Sequence, residues 1–173
     1  DTTQSVQDTS RSFLKAVLGS GSGYFVLSYT DHPKMENLKS EYFDAKDIDA
    51  IASRATQLSE STQVYFGIGR RSQKQADGSR GGNANVGNIS IIGMDVDVSD
   101  PLKPEKNLPT SQAEVLTLLE SFTLRPTFTV SSGQGVHAYW VLSEEINIAS
   151  AEDRKFAQQL IRNFYQGFAE FAF

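Results

Sequence analysis

The sequence predicts a mixed α/β or α+β layered domain, a sheet with helices packed on it. Three observations carry that expectation. Helical and strand periodicities are interspersed in the order α-β-α-β-β-α-β-β-α, as expected where helices cover a sheet. The chain has 173 residues, about the length of one domain, so a single folded unit over 1–173 is expected. Hydrophobic residues make up 39% and charged residues 21%, with 11 Phe, a composition that builds a core and argues against disorder. No internal repeat is visible.

Each element has a local reason. Phe13, Leu14, Val17 and Leu18 share one helical face over 10–18, and the Gly19–Gly23 stretch stops that helix. Tyr24–Tyr29 is aromatic and branched, as strands are. Asp44, with Asp47 three residues on, is placed to cap a helix whose stripe is Ile48, Ile51, Ala52, Ala55 and Leu58. Val64–Gly69 reads as the second strand, and residues 70–87 as a mobile basic loop. Ile89–Val98 is the third strand, followed by a loop containing Pro101, Pro104 and Pro109. Ser111 and Glu114 form a capping box for the next helix. Pro126–Val130 and Val136–Leu142 form a hairpin around Ser131–Gly135. Ser150 and Asp153 cap a last helix with apolar Phe156, Leu160, Ile161, Phe164, Tyr165 and Phe168. That helix is expected to form core or an interface.

Composition removes whole function classes. With no Cys and only His32 and His137, disulfide scaffolds, thiolate zinc sites and thiol nucleophiles are excluded. Any metal must be held mainly by oxygen, which selects hard cations such as Mg²⁺ or Mn²⁺. The net charge of −5 predicts no general affinity for nucleic acid, although a local basic patch can exist within it. No apolar run reaches the ~18 residues of a membrane span and no signal peptide is evident, so a soluble cytoplasmic protein without membrane association is expected.

Two segments can carry chemistry. Asp95 and Asp97 are two residues apart in a strand, so their carboxylates share a face while Met94, Val96 and Val98 take the other. Neighbouring carboxylates repel unless a cation neutralises them; the alternative is a solvated strand end. In the second segment, Gly133 and Gly135 let backbone N–H groups approach an anion, and His137 follows, where imidazole can donate to a phosphate oxygen. A plain hairpin with a core histidine is the alternative. Together the two segments supply what holds a metal-bound triphosphate. Asp100 is expected to cap the turn before Pro101, and His32 to lie at the surface. Of Tyr139 and Trp140, which alternate on one strand, one is expected in the core.

The combination of Asp95-Val96-Asp97 at the end of an apolar strand and, about forty residues on, Ser132-Gly133-Gln134-Gly135-Val136-His137-Ala138-Tyr139-Trp140 resembles two signature motifs of the archaeo-eukaryotic primase superfamily. It is most similar to the primase-polymerase domains of plasmid and phage replication proteins. The Tyr65–Arg71 strand and the basic loop also resemble those domains. The resemblance implies an RRM-like catalytic sheet unit beside a smaller N-terminal α/β unit, with the active site in the cleft between them. It implies DNA primase and DNA polymerase activity, the joining of nucleoside triphosphates on a single-stranded DNA template. Asp95 and Asp97 would be catalytic metal ligands of a two-metal Mg²⁺ or Mn²⁺ site. Catalytic His137 would contact the triphosphate, with Ser132, Gly133 and Gly135 completing the nucleotide site. Arg70, Arg71, Lys74 and Arg80 are the candidate phosphate contacts to template or nucleotide.

One departure stands out. The superfamily places a third metal-binding acid on a strand beyond the helix that follows the histidine. Glu144, Glu145, Asp153 and Glu170 lack that context, so the expectation is a fragment of a longer protein, with a further C-terminal region or a helicase or initiator domain. Two rivals remain: a non-catalytic nucleic-acid-binding module of a replication initiator, and a glycosyltransferase using Asp-x-Asp on a nucleotide sugar. The second leaves His137 and the basic residues without a role.

Overall fold

The computed structural model describes residues 2–19, 21–32, 36–102 and 108–172; Ser20 and Pro104, in two of the expected loops, lie outside them. The elements are α1 (Thr2–Leu18), β1 (Tyr24–Thr30), β2 (Lys39–Asp44), α2 (Ile48–Ser59), β3 (Gln63–Phe66), β4 (Gly69–Arg71), β5 (Val86–Asp97), α3 (Gln112–Ser121), β6 (Phe128–Ser131), β7 (Gly135–Asn147) and α4 (Ala151–Ala172). The fold is α+β, with an antiparallel seven-stranded sheet in the order β2-β1-β4-β5-β7-β6 and β3 beside β1. The chain divides into two compact units, Asp1–Ser90 with Glu144–Ala149, and Ile91–Ser143 with Ser150–Phe173. Among the described residues no helix is long and apolar enough to cross a membrane.

In the first unit β1 is central, paired with β2 on one edge and with β3 and β4 in succession on the other. Leu14 and Leu18 of α1, Phe25 and Leu27 of β1, and Ile51, Ala52 and Leu58 of α2 form its core. The sequence reading missed β2, because Lys39-Ser-Glu-Tyr-Phe-Asp44 is an edge strand whose residues are at most half-buried, and edges tolerate charge. Asp44 closes β2 and accepts from the Lys46 N–H at 2.9 Å. Helix α2 therefore starts at Ile48, and Asp47 occupies its N-cap without a side-chain bond.

The expected basic loop over 70–87 is corrected at both ends. Arg70 and Arg71 belong to β4, which pairs with β5, and Val86 already lies in β5. A Cβ on Gly69 would sit 2.6 Å from Val86 Cγ1, so the glycine permits this pairing. Arg70 is 2% exposed. It donates from Nε to Asn88 Oδ1 at 2.7 Å and pairs through Nη2 with Glu145. Gly19 and Gly21 lie against that pair: a Cβ on Gly21 would meet Arg70 Nη2 at 2.0 Å and one on Gly19 would meet Glu145 Oε1 at 2.6 Å. Gly19 also has φ +59 directly after α1, the left-handed conformation that ends helices.

The second unit runs β-α-β-β-α, with strand order β5-β7-β6. The split β-α-β expected of an RRM-like unit is present in this order, with β7 between the two strands that α3 connects. Ile92, Val96, Val136, Ala138 and Trp140 face Val115, Leu119 and Phe122, and Phe168 of α4 closes the core. The Ser111 hydroxyl accepts from Glu114 N–H at 3.2 Å, but the Glu114 carboxylate turns back to Thr110 rather than Ser111. At α4, Ser150 and Asp153 cap each other reciprocally. That helix leaves Phe156 63% exposed. Phe168 meets Phe122 edge-on at 5.1 Å.

Candidate active site

Alternation along β5 puts Val96 in the core and leaves Asp95 and Asp97 exposed, as the period of two requires. On β7 the same rule sends Val136, Ala138 and Trp140 inward and His137 and Tyr139 to the acidic face. The indole of Trp140 donates to Leu124 O at 2.7 Å and packs in the core of this unit, but Tyr139 is buried as well, at 6% exposure against 7% for Trp140, so both aromatics are covered rather than one.

His137 and Asp95 meet on this face. Nε2 lies 3.5 Å from Asp95 Oδ1, with the side chains 39% and 58% exposed. The contact is within ion-pair range for a protonated imidazole and too long for a strong hydrogen bond. Both groups can therefore turn to a ligand. The strands are clamped beside them by the bond from Val98 N–H to Gln134 O at 3.0 Å. Gly135 makes the approach possible, because a Cβ there would lie 2.5 Å from Val96 O and 3.1 Å from Asp97 Cα. Packing against the acidic strand, rather than approach of an anion, thus accounts for glycine at 135. Gly135→Ala is expected to lower stability by about 1–3 kcal/mol, the range for overpacking. Thermal unfolding checks this, and a change below about 0.5 kcal/mol would show that the strands yield freely.

Tyr139 flanks the histidine on the other side. Its hydroxyl is 3.4 Å from His137 Nδ1 and its ring stacks on Phe128 at 5.2 Å, their Cα atoms being paired across β6 and β7. Burial, and secondarily the Asp95 charge, pushes the phenol above its ordinary range. The phenol therefore keeps its proton and can act as a donor on this face.

The hairpin loop is pinned from α3. The Gln112 amide donates to Gly133 O at 3.0 Å and accepts from the Ser131 hydroxyl at 3.0 Å. Gly133 is exposed with φ +93 and, among the described residues, nothing within 4 Å of a Cβ, and Ser132 is exposed. The sequence reading left Tyr139 between core and groove and overlooked Gln112, which has no motif. Asp100 caps its turn as expected, accepting from Leu102 N–H at 2.8 Å.

Among the described residues, no group of three or more His, Asp and Glu side chains is placed to enclose a metal ion. Glu144 and Glu145 lie on β7, earlier in the chain than the expected third acid, and Glu145 is committed to Arg70. The donor set fits a hard cation that arrives with its substrate, since Mg²⁺ is commonly bound by one or two carboxylates plus substrate phosphates and water.

The four basic candidates belong to the first unit. Arg70 is occupied by its ion pair and is withdrawn as a phosphate contact. Arg71 is buried and spends Nε on Arg80 O and Nη1 on Gly69 O, both at 3.0 Å. The Lys74 ammonium lies 5.3 Å from the Tyr24 ring centroid, and Arg80 is exposed. Compared with family models, with curated proteins and with solved structures, the chain matches none.

Proposed function

We propose that the chain is a metal-dependent nucleotidyltransferase of the primase-polymerase kind, joining nucleoside triphosphates on a single-stranded DNA template. The observation that carries the reading is the meeting of His137 and Asp95 at 3.5 Å on the solvent-facing side of the sheet, with Asp97 next along the same strand. Three polar groups from motifs far apart in sequence share one surface. The apolar alternation alone would not require acids and an imidazole there.

Asp95 and Asp97 would hold Mg²⁺ or Mn²⁺ together with the triphosphate. When bound, the ion lowers the pKa of an attacking hydroxyl and neutralises charge on the leaving pyrophosphate. In the transfer a 3′-oxygen bonds to the α-phosphorus as the bond to pyrophosphate breaks, and the hydroxyl proton is released. The His137 imidazole would donate to a phosphate oxygen, with the Tyr139 hydroxyl beside its Nδ1. The exposed Ser132–Gly133 backbone lies next to it along the hairpin.

The test is extension of a primed single-stranded template, and dinucleotide synthesis on an unprimed one, with labelled triphosphates and either cation. Product that disappears in His137→Ala supports the reading. Template retention without product, unaltered by that substitution, favours the non-catalytic binding module.

A further inference from the structure

We infer that the first unit carries a second ligand site, a cleft that binds a phosphate ester through Arg71. It goes beyond the catalytic reading, because all of its residues lie in the first unit. The cleft has a volume of about 430 Å³, and its lining includes Ser22, Tyr24, Arg71, Ser72, Asn88 and Asn147.

The argument starts from an unbalanced charge. The Arg71 guanidinium is buried, its hydrogen bonds go to two main-chain carbonyls, and among the described residues no carboxylate pairs with it. A buried cation without a counter-charge is unfavourable, and a bound anion relieves that cost. Burial depresses its proton affinity; the Tyr42 phenol partly offsets this and the nearby Arg80 adds to it. Arg70, also on the lining, does not compete for the ligand, since Glu145 already neutralises it.

The surroundings fit a phosphate ester. Ser22, Ser72 and Asn147 line the cleft with short hydrogen-bonding side chains. Lys74 stands over Tyr24, and Tyr24 meets Tyr42 edge-on at 6.4 Å, so cationic and aromatic groups are interleaved as in surfaces that take single strands. The opposing charge on the lining is Asp44, which gives a test with a definite sign.

The probes are inorganic phosphate, a mononucleotide, and a labelled unstructured DNA oligonucleotide, titrated at several salt concentrations. Ser72→Glu puts a counter-ion into the cleft at an exposed position and should weaken binding on the order of tenfold, the scale of one charge-assisted hydrogen bond. Asp44→Asn keeps the acceptor for Lys46 N–H and should tighten it. Melting temperatures of both variants verify folding. If the source is a nucleic-acid backbone, the oligonucleotide binds more tightly than the mononucleotide, and Ser72→Glu flattens its salt slope by about 0.7 for one lost contact to a single strand. Equal binding of the two probes identifies a free nucleotide instead. Absence of binding by all three probes, or affinities unmoved by either substitution in folded protein, overturns the site.

Discussion

Replacing Asp95 and Asp97 together with Asn is expected to remove nucleotidyl transfer by a factor on the order of 10³ or more, because the cation's charge stabilisation is worth several kcal/mol. Folding should be unharmed. Both side chains are exposed, and removing two like charges from one strand face relieves repulsion, so stability should stay within about 0.5 kcal/mol of wild type or rise. Extension rates and thermal melts on the same preparations decide the matter. Unchanged turnover would remove these residues from the chemistry, whereas lost turnover with a large fall in melting temperature would assign them to the fold.

The second large effect lies in the first unit. Glu145→Ala is expected to destabilise the protein by about 3 kcal/mol, because it leaves the Arg70 charge buried without a partner. For a chain of this length that lowers the melting temperature by roughly 6–12 °C. Among the described residues, Arg70 Nη1 and Glu145 Oε1 have no hydrogen-bond partner even in the intact pair, so the ion pair is incompletely satisfied there. Replacing both residues with apolar ones, Arg70→Met with Glu145→Leu, should therefore recover most of the loss. A double variant as unstable as Glu145→Ala would show that this pair stabilises beyond charge neutralisation.

How much of this was legible in the sequence depends on the range of the interaction. The alternation of Asp95, Val96 and Asp97 is a local rule, and it holds. The Ser150–Asp153 cap and the hairpin at Ser131–Gly135 are equally local, and they form. Arg70 could not be placed, because what buries it is a carboxylate 75 residues away; with its neighbours alone in view it resembles a loop arginine. Strand β2 escaped because an edge strand needs little apolar character. Phe156 shows the reverse case: its helical spacing fits core or an interface alike, and α4 leaves it 63% exposed. At the candidate site the motif residues were readable. Gln112 and the contact of Tyr139 with His137 were not, since each depends on which strand lies next to which.

The central claim, that Asp95, Asp97 and His137 serve one cation-bearing triphosphate, is tested most directly by equilibrium binding of a labelled nucleoside triphosphate with and without Mn²⁺. The account predicts that Mn²⁺ tightens binding to the wild type, that this gain vanishes in the Asp95→Asn, Asp97→Asn double variant, and that His137→Ala weakens binding in the presence of the ion. Nucleotide affinity independent of Mn²⁺, or a gain that survives loss of both carboxylates, would contradict it.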